Sequence, residues 1–102
     1  MQLQLRDYRI LPDHMDDWIA GWERGIVPLR RQEGFEIVGA WVDRPHDRFV
    51  WVVGYSGDEG FEVAEERYHA SAARLGLDPN PSDFLESATL DMVDDLLRSA
   101  AS

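Results

Sequence analysis

Residues 34–55, with the sequence GFEIVGAWVDRPHDRFVWVVGY, decide the fold of this chain. Two apolar runs, 35–42 and 49–55, are rich in the β-branched and aromatic side chains that favour strands. The polar segment 43–48 between them contains Pro45 and is typical of a turn. The stretch therefore predicts a β-hairpin. Because both runs are apolar at successive positions, we expect both faces of the sheet to be covered.

The alternation of side chains along a strand divides this hairpin into two surfaces. One surface carries large aromatic side chains, and the other carries small and β-branched ones. We expect helices to pack closely on the small surface, so that the aromatic surface needs another cover. The predicted aromatic face comprises Phe35, Ile37, Gly39, Trp41, Phe49, Trp51, Val53 and Tyr55, and the predicted helix-covered face comprises Val38, Ala40, Val42, Val50, Val52 and Gly54.

Length and composition indicate one domain over residues 1–102, with a frayed tail over about 95–102. A hydrophobic content of 44% supports a real core, and the lack of cysteine excludes disulfide and thiolate chemistry. A net charge of −10 without a basic stripe argues against nucleic-acid partners and anionic membranes. No apolar run approaches the ~20 residues that a membrane span needs. We expect a cytoplasmic protein whose acidity serves solubility.

Two further elements precede the hairpin. Residues 3–10 alternate like a strand, and residues 14–33 have the apolar spacing of a helix. Asp13 is the expected N-cap of this helix, Pro28 is expected to kink it, and Gly34 is expected to end it. The apolar stripe of the helix consists of Met15, Trp18, Ile19, Trp22, Ile26 and Leu29.

Two segments follow the hairpin. Ser56 and Glu59 match a capping box, which predicts a second helix that runs to Leu75. Residues 86–93 fit either a strand or a helix, and their pattern alone leaves both open. The apolar stripe of the second helix consists of Phe61, Ala64, Tyr68, Ala72 and Leu75.

A strand at the last segment would give the order β-α-β-β-α-β, which defines an α+β, ferredoxin-like domain. Its four-stranded antiparallel sheet would carry two helices on one face. The aromatic face would then be bare, and a bare apolar face is seldom left in water. We expect a second copy of the chain to cover it, which gives a homodimer in the form of a dimeric α/β-barrel.

Several short motifs carry a family resemblance. They are LRDY at 5–8, a helix with Trp22, Pro28 and Leu29, GF at 34–35, GAW at 39–41, and the third strand ending at Tyr55. On these motifs the chain resembles the NIPSNAP-like members of the dimeric α/β-barrel superfamily, from residue 3 to about residue 93. The resemblance implies a strand for the last segment and a homodimer. It implies no catalytic residues, because this family has no settled enzymatic activity.

Five residues are the candidates for a ligand site in the barrel lumen, on the face opposite the helices: Arg6, Tyr8, Trp41, Trp51 and Tyr55. A buried arginine requires a partner, because an unpaired charge in an apolar site is costly. That partner is expected to be a carboxylate such as Asp43 or Asp91, or a hydrogen-bond network at the dimer seam. The alternative is a small anionic or aromatic ligand held against the aromatic rings.

No catalytic motif, metal-ligand spacing or cofactor loop is present, so we expect no metal and no cofactor. Two classes of function remain. The first is a homodimer of unsettled biochemical role that binds a small aromatic or anionic ligand in the barrel. The second is a cofactor-independent monooxygenase or isomerase acting on an aromatic or quinone-like substrate, as in relatives of the wider superfamily.

Overall fold

The structure is a computed structural model, and it describes residues 1–97. Its sheet has four antiparallel strands, and from one edge to the other these are the second, third, first and fourth strands of the chain, which confirms the ferredoxin-like fold. The ambiguous last segment is a strand, and the predicted tail lies outside the described residues from 98 onward. The strands are β1 (Gln2–Ile10), β2 (Glu36–Asp43), β3 (Arg48–Tyr55) and β4 (Leu85–Val93).

The first helical segment is interrupted by a π-helical turn, Trp22–Ile26, which lies just before Pro28 and overlaps the region of the predicted kink. Pro28 itself occupies the first turn of the next helix, where a missing N–H is tolerated. Gly34 ends the segment with φ at +91°, as predicted. Asp13 is not the N-cap residue. His14 occupies that position, and its side chain makes no capping hydrogen bond to the backbone of the helix. The helices are α1 (Met15–Gly21), α2 (Val27–Gln32), α3 (Phe61–Ala70) and α4 (Ala72–Leu75).

The start of α3 corrects the predicted capping box. Gly60, rather than Ser56, is the N-cap residue, and its φ of +86° suits glycine. The N–H of Phe61 donates to Oε1 of Gln2 at 2.7 Å, so a residue of β1 satisfies this helix end. Glu59 instead accepts a hydrogen bond from the Tyr55 hydroxyl at 2.5 Å. Tertiary contacts therefore replaced the local motif.

The second predicted helix is interrupted. Ser71 adopts an extended conformation, with ψ at 142°, and separates α3 from α4. Leu75 consequently leaves the predicted apolar stripe and is 73% exposed. In the part of the chain that the structure describes, no helix is long and apolar enough to cross a membrane.

The helices before and after the hairpin pack on the same face of the sheet, as predicted. That face is the aromatic one, however. Phe49 and Trp51 are almost fully buried, and Trp22 lies edge-on to both rings at centroid distances of 5.1 and 5.7 Å. The prediction that Val50 and Val52 lie under the helices is wrong. Rings from the sheet and the helices pack edge to face between the two layers, where small side chains on the sheet would leave larger gaps.

A β-bulge in β2 changes the side on which Trp41 lies. Ile37 pairs with Val53, whereas Gly39 pairs with Val52, so one extra residue separates the two pairs. An extra residue inverts the alternation beyond it. Trp41 therefore lies on the face opposite the helices and is 60% exposed. We call this surface the open face; its residues include Leu5, Gly39, Trp41, Val50 and Val52.

Candidate functional site

A cavity of about 100 Å³ lies between the sheet and the helices. We call it the helix-side cavity. Exposed residues of α3, β4 and the turn before β4 lie at its rim. Three arginines line it, whereas within residues 1–97 no acidic residue does. The lining residues are Arg6, Tyr8, Trp18, Ile26, Arg30, Trp51, Tyr68, His69, Arg74, Ser82, Leu85, Ala88 and Leu90.

The three arginines reach the cavity from three different elements. Arg6 lies in the middle of β1 and pairs with Trp51 of β3. Arg30 lies in α2, four residues after the buried Ile26 and thus on the same side of the helix. Arg74 lies in α4. Their exposed fractions are only 6%, 1% and 8%, which is unusual for arginine and requires compensation of each charge.

Glu65 of α3 pairs with two of these arginines, and its single negative charge balances one of their two positive charges. Its oxygens accept hydrogen bonds from Nη1 and Nη2 of Arg30 at 2.7 and 2.9 Å, a bidentate pair. Nη1 of Arg6 lies 3.5 Å from the same carboxylate, and Nε2 of His69 lies 2.6 Å from it. Burial by itself would raise the pKa of Glu65. The hydrogen bonds from His69 and Arg30 and the two positive charges outweigh burial, so its pKa lies well below its usual range.

Arg30 also contacts the faces of aromatic rings. Its guanidinium carbon lies 3.9 Å from the ring centroid of Tyr68 and 4.7 Å from that of Phe35. Trp51 lies between two cations, at 5.7 Å from Arg30 and 5.4 Å from Arg6. These cation–π contacts replace part of the hydration that the guanidinium groups lose on burial.

Arg74 is held differently. Its Nη1 donates to Oδ1 of Asn80 at 3.1 Å, and its Nη2 donates to Oγ of Ser82 at 2.8 Å. Both partners are neutral, and none of the carboxylates described in the structure forms an ion pair with Arg74. The Oγ of Ser71 caps α4 by accepting from the Arg74 backbone N–H at 3.2 Å. The turn before β4 thus fixes the guanidinium without neutralising it.

Several hydrogen-bonding atoms of the lining residues are buried without a partner. Leaving such an atom unsatisfied costs about 1–3 kcal/mol, so a set of them around one cavity favours the entry of water or of a polar ligand that accepts their hydrogen bonds. Burial raises the pKa of Tyr68, and the positive charges nearby offset only part of this rise, so its hydroxyl is a donor at neutral pH. The atoms are Nε1 of Trp18 and Trp51, the hydroxyl of Tyr68, and Nε of Arg30 and Arg74.

The structure separates the five residues predicted for the lumen. Arg6, Tyr8 and Trp51 line the helix-side cavity together. Trp41 lies on the open face, because of the bulge in β2. Tyr55 shares the buried face but bonds to Glu59 at the other end of β3. The premise that all five lie opposite the helices is therefore wrong.

The partner of Arg6 also differs from the prediction. Its carboxylate partner is Glu65, at 3.5 Å, rather than Asp43 or Asp91, and its Nε donates a shorter hydrogen bond to the Tyr8 hydroxyl at 2.6 Å. Asp91 pairs with Leu5, which places it on the open face, and Asp43 instead contacts His46 in the hairpin turn. Strand parity could have excluded Asp91 once the register was known, but nothing in the sequence gives the register.

Sequence reasoning missed Arg30, Arg74 and Glu65. Charged residues on helices usually face solvent, so pattern analysis assigns them to the outer side. One signal was available for Arg30, which continues the spacing of four residues from Trp22 through Ile26. For Arg74 there was none, because its burial depends on the break at Ser71.

Fold and cavity together define an α+β protein of the ferredoxin-like class, with three arginines lining a cavity between its sheet and its helices. Residues 3–77 match the family model of NIPSNAP, and the chain belongs to the NIPSNAP family. No curated protein sequence matches it. The biochemical role of this family is unknown.

Solved structures of low sequence identity share the fold. An uncharacterized NIPSNAP domain protein from Burkholderia xenovorans is 16% identical, with 93% of this chain and 94% of that chain covered and a TM-score of 0.79. A NIPSNAP family protein of unknown function from Agrobacterium tumefaciens is 18% identical, with coverages of 93% and 87% and a TM-score of 0.81. An antibiotic biosynthesis monooxygenase is 19% identical, with coverages of 94% and 99% and a TM-score of 0.66.

Proposed function

We propose that this NIPSNAP protein is a homodimer that binds a small anionic or aromatic ligand in the helix-side cavity of each subunit. The observation that carries the proposal is the charge of the lining, in which three buried arginines meet and no acidic residue is found within residues 1–97. Ligand sites in proteins typically combine apolar walls with a few convergent polar groups. Arg6, Tyr8 and Trp51 stay in the proposed site, whereas Trp41 and Tyr55 leave it.

The homodimer is supported by the open face. Leu5, Val50 and Val52 present apolar side chains there, and the exposed ring of Trp41 lies over Gly39. The central side chains of this face are small, so a second sheet can approach closely. The same face of another copy is the simplest cover, because a two-fold axis makes such a surface complementary to itself.

An enzymatic role, as a cofactor-independent monooxygenase or isomerase, is the second candidate. It is favoured by the likeness in fold to the antibiotic biosynthesis monooxygenase. Proton transfer near neutral pH would need a suitable group at the cavity. Glu65 is held as a carboxylate and Tyr68 as a phenol, which leaves His69 at the rim as the candidate base. Oxygen consumption with a bound quinol would support this candidate.

A thermal-shift screen tests the proposed ligand binding. The compounds are small carboxylates, phenols and quinones. At ten times its Kd, a ligand adds about 1.4 kcal/mol to the stability of the folded state. For a domain of this size we expect the melting temperature to rise by about 6 °C.

A pair of variants tests whether the rise in melting temperature comes from binding in the helix-side cavity. Ala88→Trp places a large side chain at the rim and should abolish the stabilisation, whereas Ala70→Trp, at an exposed position outside the lining, should preserve it. Equal stabilisation of both variants would place the ligand elsewhere. A screen in which no compound raises the melting temperature of the wild-type protein would contradict the proposed function.

A further inference from the structure

We infer that the helix-side cavity takes a short-chain monocarboxylate, and that Arg74 is the side chain that holds its carboxylate group. The inference rests on the proposed ligand-binding function and names the ligand class and the anchor. It also moves the anion contact from Arg6, where the sequence placed it, to a residue of α4.

The charges around the cavity single out Arg74. Arg6 and Arg30 share the carboxylate of Glu65, which balances one of their two charges and contacts both guanidinium groups. Arg74 is only 8% exposed, and within the described chain its guanidinium donates hydrogen bonds to neutral oxygens. A buried guanidinium without a counter-ion favours the binding of an anion.

Two unpartnered donors match the two oxygens of a carboxylate. Nε of Arg74 and the hydroxyl of Tyr68 are both buried without a hydrogen-bond partner, and both residues line the cavity. Burial raises the pKa of Tyr68, whereas the charges of Arg30 and Arg74 and a polar contact with the Arg74 side chain lower it, so the Tyr68 hydroxyl and the Arg74 guanidinium lie close together. One N–H and one O–H are thus available to the same ligand.

The size and the walls of the cavity define the rest of the ligand. A volume of about 100 Å³ is smaller than the ~150 Å³ that accommodates the six carbons of benzene. We therefore expect about five non-hydrogen atoms, as in propionate. Ile26, Leu85 and Leu90 supply apolar walls for an alkyl group. Inorganic phosphate has a similar size, but it has no apolar part and would leave these walls unmatched.

Calorimetric titration of the full chain with three compounds tests the ligand class. Sodium propionate is compared with propionamide, a neutral molecule of nearly the same shape, and with sodium phosphate at matched ionic strength. We expect saturable binding of propionate, and at least tenfold weaker binding of the other two, because only propionate combines the charge with the alkyl group.

Three variants test the anchor. Arg74→Gln should weaken propionate binding at least tenfold and remove the preference over propionamide. Tyr68→Phe should weaken it severalfold, and should keep the fold because the deleted hydroxyl has no partner in the protein. Arg24→Gln, at an exposed position outside the cavity, is the control and should bind propionate like the wild type.

The outcomes separate this inference from the proposed function. Propionamide or phosphate binding as tightly as propionate would overturn the carboxylate class, and unchanged binding by both Arg74→Gln and Tyr68→Phe would overturn the anchor. If an aromatic or neutral compound binds in a way that Ala88→Trp abolishes, while propionate does not bind, this inference fails and the ligand-binding function stands. If no compound binds, both fail.

Discussion

Replacing Glu65 by glutamine should lower the free energy of unfolding by about 3–5 kcal/mol, which is the usual loss when one partner of a buried ion pair is removed. The carboxylate accepts two hydrogen bonds from Arg30, and its side chain is only 18% exposed. An amide cannot balance the charges of Arg30 and Arg6, which would stay buried. Urea unfolding at pH 7, followed by tryptophan fluorescence, measures the loss.

The neighbouring exposed residue supplies the control. Glu66→Gln removes the same charge one position away, and should change the free energy of unfolding by less than about 0.5 kcal/mol. Equal losses for Glu65→Gln and Glu66→Gln would show that the arginines do not depend on Glu65.

The difference in the free energy of unfolding between the wild type and Glu65→Gln should depend on pH in a defined direction. The folded-state pKa of Glu65 lies below its value in the unfolded chain, about 4.3, so its contribution is present above that pH and is lost as the pH falls through the folded-state pKa. The gap between the wild type and Glu65→Gln should therefore narrow steadily below about pH 4.3. The pKa values of Asp7 and Glu59 are also lowered. Both residues are present in the two proteins, so their contributions to the pH dependence of the free energy of unfolding cancel.

Trp41→Asp should convert the proposed homodimer into a folded monomer. In a single subunit the side chain is 60% exposed, so a carboxylate is tolerated there, whereas in the dimer it would be buried without a partner. Light scattering on a sizing column should give twice the 11.7 kDa of one chain for the wild type, and 11.7 kDa for the variant.

Two other aspartate substitutions complete this test. Val42→Asp changes the next residue of β2, which is 43% exposed and lies on the helix side of the sheet, so the dimer should persist. Trp51→Asp should unfold the chain rather than dissociate the dimer, because Trp51 is in the core. A wild-type mass of 11.7 kDa at micromolar concentration would contradict the proposed assembly.

The sequence predicted the fold where local signals and tertiary packing agree. The hairpin strands, the end of the first helix at Gly34 and the helices on one face of the sheet are all confirmed. The choice of face was wrong because alternation sorts side chains into two sets without saying which set the helices cover. Trp41 does lie opposite the helices, as predicted, but its grouping with Trp51 was wrong because a bulge inverts alternation without leaving a signal in composition.

The candidate site was predictable only in part. Arg6, Tyr8 and Trp51 were grouped correctly, because β1 and β3 run without a bulge between them over the paired residues. Arg30 and Arg74 reach the cavity from helices, where arginine usually indicates an exposed position. The burial of Arg74 follows the break between α3 and α4 at Ser71, which the sequence pattern did not predict.

The indole N–H signals of the four tryptophans test most directly whether the ligand binds on the helix side of the sheet. In a ¹⁵N-labelled sample titrated with sodium propionate and, separately, with sodium benzoate, we predict that the signals of Trp51 and Trp18 shift, because both line the cavity with unpartnered N–H groups. The signal of Trp41 should stay in place. A shift confined to Trp41, or no indole shift with either compound, would contradict ligand binding in the helix-side cavity.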